Sequence, residues 1–146
     1  MSRRYIIISV IIAMLIPFPT TIVPTWKLKV VDEQGNICPN KEATQTWAHY
    51  SIYIGSGNFQ SEDRLTDEEG NVEFPTRTVW APLFWRIIGT VIANALTIAH
   101  GSAGADSSVH SSGIKDVAWI SYKPEKPMAD KIVVHSCVYD GSHGIH

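Results

Sequence analysis

Two spacings of hydrophobic positions divide the chain. From Trp26, "WKLKVV" sets Trp26, Leu28 and Val30 against Lys27 and Lys29, and "NVEF" sets Val72 and Phe74 against Asn71 and Glu73. Period two marks a half-buried strand, because successive side chains of an extended chain point to opposite faces. "ATQTWAHYSIYI" is rich in strand-favouring Thr, Tyr and Trp. It places Thr44, Thr46, Ala48 and Tyr50 on one face and Ala43, Gln45, Trp47 and His49 on the other, and does not say which is buried. "DVAWISY" and "KIVVHSCVY" read as two more strands, joined by "KPEKPMAD", whose Pro124 and Pro127 keep that linker out of a sheet interior. About six or seven short strands with turn signals between them predict a mainly β fold, an antiparallel β-sandwich.

Two segments depart from that period. "APLFWRIIGTVIANALTIAH" carries Leu83, Ile87, Val91, Ala95 and Ile98 near helical spacing, with Pro82 suited to a first turn and Gly101 to a last, so one apolar helix is expected at about 82–99. It is apolar nearly all round and must be covered on more than one side or meet lipid or a partner. Arg86 opposes a membrane-spanning reading, so packing on the sandwich is expected ahead of lipid contact. The other segment opens the chain. Arg3 and Arg4 precede an uncharged apolar run over 5–16, the length of a signal-peptide core and short of the roughly 20 residues of a spanning helix. "PFPTTIVP" extends the uncharged stretch to Pro24 and offers no clean cleavage site. Residues 1–25 are therefore either a cleaved signal peptide or a membrane anchor, an N-terminal hydrophobic helix whose residues 5–24 would sit in the inner membrane. Residues 26–146 form the exported domain, in the periplasm or cell envelope.

Composition narrows the partners. The 146 residues carry a formal charge of −2 with no basic stripe after the N-terminus, which argues against nucleic acid. Export changes how Cys38 and Cys137 read, since an oxidising compartment lets two thiols stay joined. A disulfide between them is favoured over two buried free thiols. Neither cysteine has a second one nearby at zinc-finger spacing, and the histidines are scattered, so no metal or cofactor is expected.

An acidic five-residue unit is written twice, "DEQGN" from Asp32 and "DEEGN" from Asp67. An EF-hand needs oxygen ligands at alternate positions and a glutamate at the twelfth, and neither copy complies. As hairpin turns both fit: Asp first, two tolerant residues, then Gly35 or Gly70 where a left-handed backbone costs little.

"KLKVVDEQGN" followed by "ATQTW", then "LTDEEGNVEFPTRTV" and an apolar helix ending in "HGSAG", resembles bacterial exported domains of the carboxypeptidase regulatory-like, transthyretin-like type. The likeness covers about residues 26–109. It implies a prealbumin-like (Ig-like) sandwich with a helix between strands, serving as an accessory module without chemistry of its own. "NICPN" departs from the family's usual continuation after the first glycine turn. Transthyretin-like hydroxyisourate hydrolases would require a histidine in the first strand and a terminal Tyr-Arg-Gly-Ser. Residues 27–31 hold no histidine, and in "YDGS" Asp140 stands where the arginine would be, so neither the proton-transfer group nor the cationic anchor is present.

The remaining fragments are weaker. "HGSAG" lacks nucleophile-elbow spacing and "GSGN" at 55–58 is too short to cradle phosphate. His49, His100, His110, His135, His143 and His146 do not cluster in sequence. Trp80, Trp85 and Trp119 could line a sugar-binding surface, although large aromatics belong more often to cores. The expected protein is thus a non-catalytic exported accessory or binding domain whose partner is an envelope protein or glycan. The alternative is a lipid-associated module using helix 82–99, and a transthyretin-like hydrolase comes last.

Overall fold

The computed structural model describes residues 3–49, 59–100, 105–112 and 117–137, and of residues 93, 96–100 and 112 the backbone alone. Helix α1 (Arg3–Leu15) leads into strands β1 (Pro17–Val23), β2 (Trp26–Asp32), β3 (Glu42–His49), β4 (Gln60–Leu65), β5 (Asn71–Phe74) and β6 (Arg77–Pro82); helix α2 (Leu83–His100) follows, then β7 (Ala105–Ser112), β8 (Val117–Tyr122) and β9 (Lys131–Val134). The fold is mainly β, with sheets of order β5-β2-β9 and β4-β3-β7-β8 and a two-stranded ribbon β1-β6.

Among the described residues every strand pairing is antiparallel except that of β2 with β9, which is parallel over Lys29–Asp32 and Lys131–Val134. The expected all-antiparallel sandwich is corrected at this one ladder. A parallel partner cannot be reached through a hairpin, and β9 arrives after the chain has built the whole four-stranded sheet.

One core joins all three sheets. Trp26, Leu28 and Val30 of β2, Val72 and Phe74 of β5, Ile132 and Val134 of β9, Ala43 of β3 and Val109 of β7 are buried together, as are Ile22 and Val23 of β1 and Val79 and Ala81 of β6. The indole of Trp26 donates to the carbonyl of Ala129 at 2.7 Å, satisfying the one polar atom of a fully buried ring. On β3 the face left open by the sequence is settled: Ala43, Gln45 and Trp47 turn to the core side.

The ribbon continues the antiparallel β2–β5 ladder. Trp26 pairs with Phe74, Val23 pairs with Arg77, and between these rungs Pro24 and Pro75 interrupt both strands while the hydroxyls of Thr25 and Thr76 lie 3.0 Å apart. Proline supplies no ladder N–H. The paired prolines therefore break the hydrogen-bonded run in both strands at one level, and the ribbon β1-β6 leaves the three-stranded sheet there. The expected boundary at residue 25 falls inside this continuous ribbon, whose Ile22 and Val23 are core residues. Likewise the uncharged stretch 5–24 is not one helix: α1 ends at Leu15, and Pro17 and Pro19 lie in a strand.

Candidate functional site

The doubled pentamers form two matching turns. Asp32 Oδ1 accepts from the backbone N–H of Gln34 and Asn36, Asp67 Oδ1 accepts from those of Glu69 and Asn71, and each second carboxylate oxygen accepts from the following asparagine side chain. Gly35 and Gly70 take φ of 84° and 76°. These hydrogen bonds, led at Asp32 by the Asn36 side chain and at Asp67 by the Asn71 backbone, hold both carboxyls below their ordinary range. The oxygens that a cation would need are already engaged by amide donors. Among the described residues no three His, Cys, Asp or Glu side chains come together as a metal site.

Cys38 and Cys137 are joined by a disulfide, their Cα atoms 4.9 Å apart. The bond ties the segment after β9 to the segment after β2, and Thr66 fastens the same corner by donating to the Cys38 carbonyl at 2.6 Å and accepting from the Lys41 N–H at 2.8 Å. A disulfide is consistent with an exported protein. Nearby, His135 meets Glu33 at 3.0 Å on the surface.

Among the described residues, the three histidines with described side chains lie on separate elements. His49 ends β3, His110 lies in β7 and His135 follows β9. His49 is half-buried, and burial, with the Arg86 charge beside it, holds its imidazole below the ordinary range and therefore neutral. "GSGN", "YDGS", the residues after His100 in "HGSAG", the expected helix stop at Gly101, Tyr50, His143 and His146 lie outside the described residues, as does the side chain of His100.

A partly exposed ionic cluster links four strands. Arg77 donates from Nε to Gln45 Oε1 at 2.7 Å, reaches Glu62 through Nη2 at 2.5 Å, and stacks over Trp47 with its guanidinium carbon 3.9 Å from the ring centre. Arg64 completes it by binding Glu62 and the Glu73 carbonyl. Arg64, then Arg77, hold the Glu62 carboxyl below its usual range. Every charge in the cluster is engaged by another strand of the body, so its geometry is that of a clamp between β3, β4, β5 and β6.

The largest unexplained feature is apolar. Pro17 faces Pro82 at the open end of the ribbon, so α1 enters and α2 leaves side by side, and the two helices touch. Tyr5, Ile6, Ile7, Ile8, Val10, Ile11, Ile12 and Leu15 of α1 are each between 52% and 65% exposed. Leu83, Trp85, Ile87, Ile88 and Val91 of α2 are exposed too. Phe18 and Trp80 add two exposed aromatics where the helices join the ribbon. Arg86 fastens this junction: it donates to the carbonyls of Ala81 and Phe18 and to the Thr20 hydroxyl, and lies over the Phe18 ring. Instead of lying over a sheet, as expected, α2 has its main contacts with α1 and β6. The physical reason is its start: β6 runs straight into it at Leu83 with no connecting loop, and its first turn is held by Arg86.

Of the tryptophans proposed for a surface, Trp80, Trp85 and Trp119 are all exposed, whereas Trp26 fills the core. No helix among the described residues is long and apolar enough to cross a membrane. No protein-family model matches the chain, and no curated protein matches it significantly.

Proposed function

We propose that this chain is an exported, non-catalytic β-sandwich module held on a lipid bilayer by α1 and α2. The observation that carries this reading is the continuous apolar surface of two adjacent helices with Phe18, Trp80 and Trp85 at their base. Apolar patches beyond a few hundred Å² are rare on water-facing monomers, and each aliphatic side chain covered is worth about 1.5–3 kcal/mol. Tryptophan favours the level of the lipid headgroups, where its ring is covered and its N–H stays wet.

The mode is surface insertion. At 1.5 Å per residue α1 is about 20 Å long and α2 about 27 Å, against a hydrocarbon core of about 30 Å. Both ends of α2 are also tied to the body, by β6 directly and by the four residues that separate His100 from β7. A helix so tethered lies along the interface. Arg3 and Arg4 then sit among headgroups, where cationic side chains gain from anionic lipid. The two-sheet body with its inserted helix supports the prealbumin-like, carboxypeptidase regulatory-like reading, in which such sandwiches act as accessory modules.

Flotation of the full chain with phosphatidylcholine–phosphatidylglycerol vesicles tests this. The chain is expected in the floating fraction, and a variant with Ile87→Ser, Ile88→Ser and Val91→Ser, all exposed positions, is expected to float markedly less. A detergent-free chain that stays monodisperse and sediments away from vesicles would rule the reading out.

A further inference from the structure

The outward face of the four-stranded sheet carries a second surface of different chemistry. Side chains of β3, β4, β7 and β8 that point away from the core are brought into rows by the strand register. One row runs Asp63, Thr44, His110, Trp119, and the next Ser61, Thr46, Ser108, Ser121. With strands about 4.8 Å apart, a row of four spans about 14 Å.

Trp119 is 66% exposed on this face. Its position is held from two sides: the indole N–H donates to Ser121 Oγ at 3.0 Å, and the His110 ring lies 6.5 Å away at 34°. At the centre of the face Ala48 and Ser108 are buried and Thr46 shares a hydrogen bond with Ser108 at 2.9 Å, so the side chains open to a ligand lie around that centre. The groups open to solvent are one fixed aromatic plate at an edge, Trp119, with the Ser121 and Ser61 hydroxyls and the Asp63 carboxylate exposed and Thr44 and His110 half-exposed between them. The charged side chains at outward positions of these strands are Asp63, Glu42 and Asp106, all acidic.

We infer that this face binds a glycan chain built of uncharged hexoses. A pyranose ring offers a C–H face that stacks on indole and equatorial hydroxyls that donate to carboxylates and exchange hydrogen bonds with Ser, Thr and His. A repeat of sugar rings matches a repeat of strand positions. Three carboxylates without a cation repel phosphorylated or uronic acid polymers, which selects the neutral class. A shallow open face is suited to a stretch of polymer, whereas a small molecule needs an enclosing cleft. This surface is separate from the apolar helices and does not depend on their reading.

The test titrates the full chain, in detergent micelles that cover α1 and α2, with cellohexaose, laminarihexaose, maltohexaose and N-acetylchitohexaose, using trigalacturonate as the acidic control and tryptophan fluorescence with calorimetry as readouts. At least one neutral oligomer is expected to bind with Kd of about 1 mM or tighter. Trp119→Ala is expected to weaken it about tenfold or more, and Asp63→Asn by a smaller factor, each with an unchanged thermal melt since both side chains are exposed. Failure of all four neutral oligomers to bind, equal binding by Trp119→Ala, or equal binding of trigalacturonate overturns the inference.

Discussion

Pro17 and Pro82 form the last rung of the β1-β6 ribbon, and that pairing sets where both helices begin. Arg86, one turn into α2, reaches back to three groups on the ribbon, the carbonyls of Ala81 and Phe18 and the Thr20 hydroxyl. Charge-assisted hydrogen bonds contribute about 1.5–3 kcal/mol each when sheltered and less at a partly wet site. Arg86→Ala is therefore expected to cost about 1–3 kcal/mol in urea unfolding. Lysine, a single point donor, should recover less than half of that loss. Full stability in the alanine variant would mean that the helix is held by something other than this side chain.

The two glycines of the repeated turns separate backbone strain from crowding. Both sit at positive φ, where a Cβ costs roughly 1–2 kcal/mol. Around Gly35 there is open space, whereas a Cβ on Gly70 would lie 3.0 Å from the Val30 carbonyl oxygen and 3.3 Å from Cys38 N. Gly35→Ala should thus lose about 1 kcal/mol, and Gly70→Ala at least twice as much because backbone cannot step aside. Paired denaturation curves measure the difference, and equal losses would show that the Gly70 contact is not tight.

Much of the three-stranded sheet could be read from period two, since Trp26, Leu28, Val30, Val72 and Phe74 lie on its buried face and the intervening Lys and Glu do not. β7 could not. "ADSSVHSS" has one strongly apolar residue, yet it is an inner strand, because Ser107 and Ser111 carry their own solution for burial by donating to the carbonyls of Thr46 and Glu42 at 2.8 and 2.6 Å. Tertiary hydrogen bonding overrides local propensity there. β1 was hidden for another reason: a leader-like run of apolar residues looks the same whether it meets lipid or pairs with a strand, and only β6, some sixty residues later, decides. The outward sheet surface was legible only as scattered residues. Trp119, His110, Thr44 and Asp63 come from four strands, and no spacing along the chain announces their row.

Acid should weaken the turns. Asp32 and Asp67 have folded-state pKa values below 3.8, since both carboxylates accept several hydrogen bonds that protonation would break. A depressed folded pKa gives stability that is fully present above the unfolded value and is lost as pH falls through the folded one. Unfolding free energy is expected to be flat near neutrality and to drop as pH falls below about 4. The double variant Asp32→Asn, Asp67→Asn should lose part of that slope. Some will remain, because Glu62, held by Arg64 and Arg77, titrates with the same sign. A wild-type profile with no fall in that window would contradict the assigned carboxylate contacts.

Reduction of the Cys38–Cys137 bond should loosen one ladder before the rest. The bridge closes a sequence separation of 99 residues and sits just past the last rung of the parallel β2-β9 pair, where Asp32 faces Val134. β2 has a second partner in β5, but among the described residues β9 is an edge strand with β2 as its only neighbour in the sheet. Losing a native disulfide typically costs about 2–5 kcal/mol. The Cys38→Ala, Cys137→Ala variant is therefore expected to melt lower, and its amides at Ile132 and Val134 should lose hydrogen-exchange protection ahead of those of β3 and β7. The buried side chains of Ile132 and Val134 still favour the docked strand, so the loss should be graded and not a detachment. If exchange rises uniformly across both sheets, the bridge acts on the whole fold at once; if it rises nowhere, the C-terminal strand holds its place without the bond.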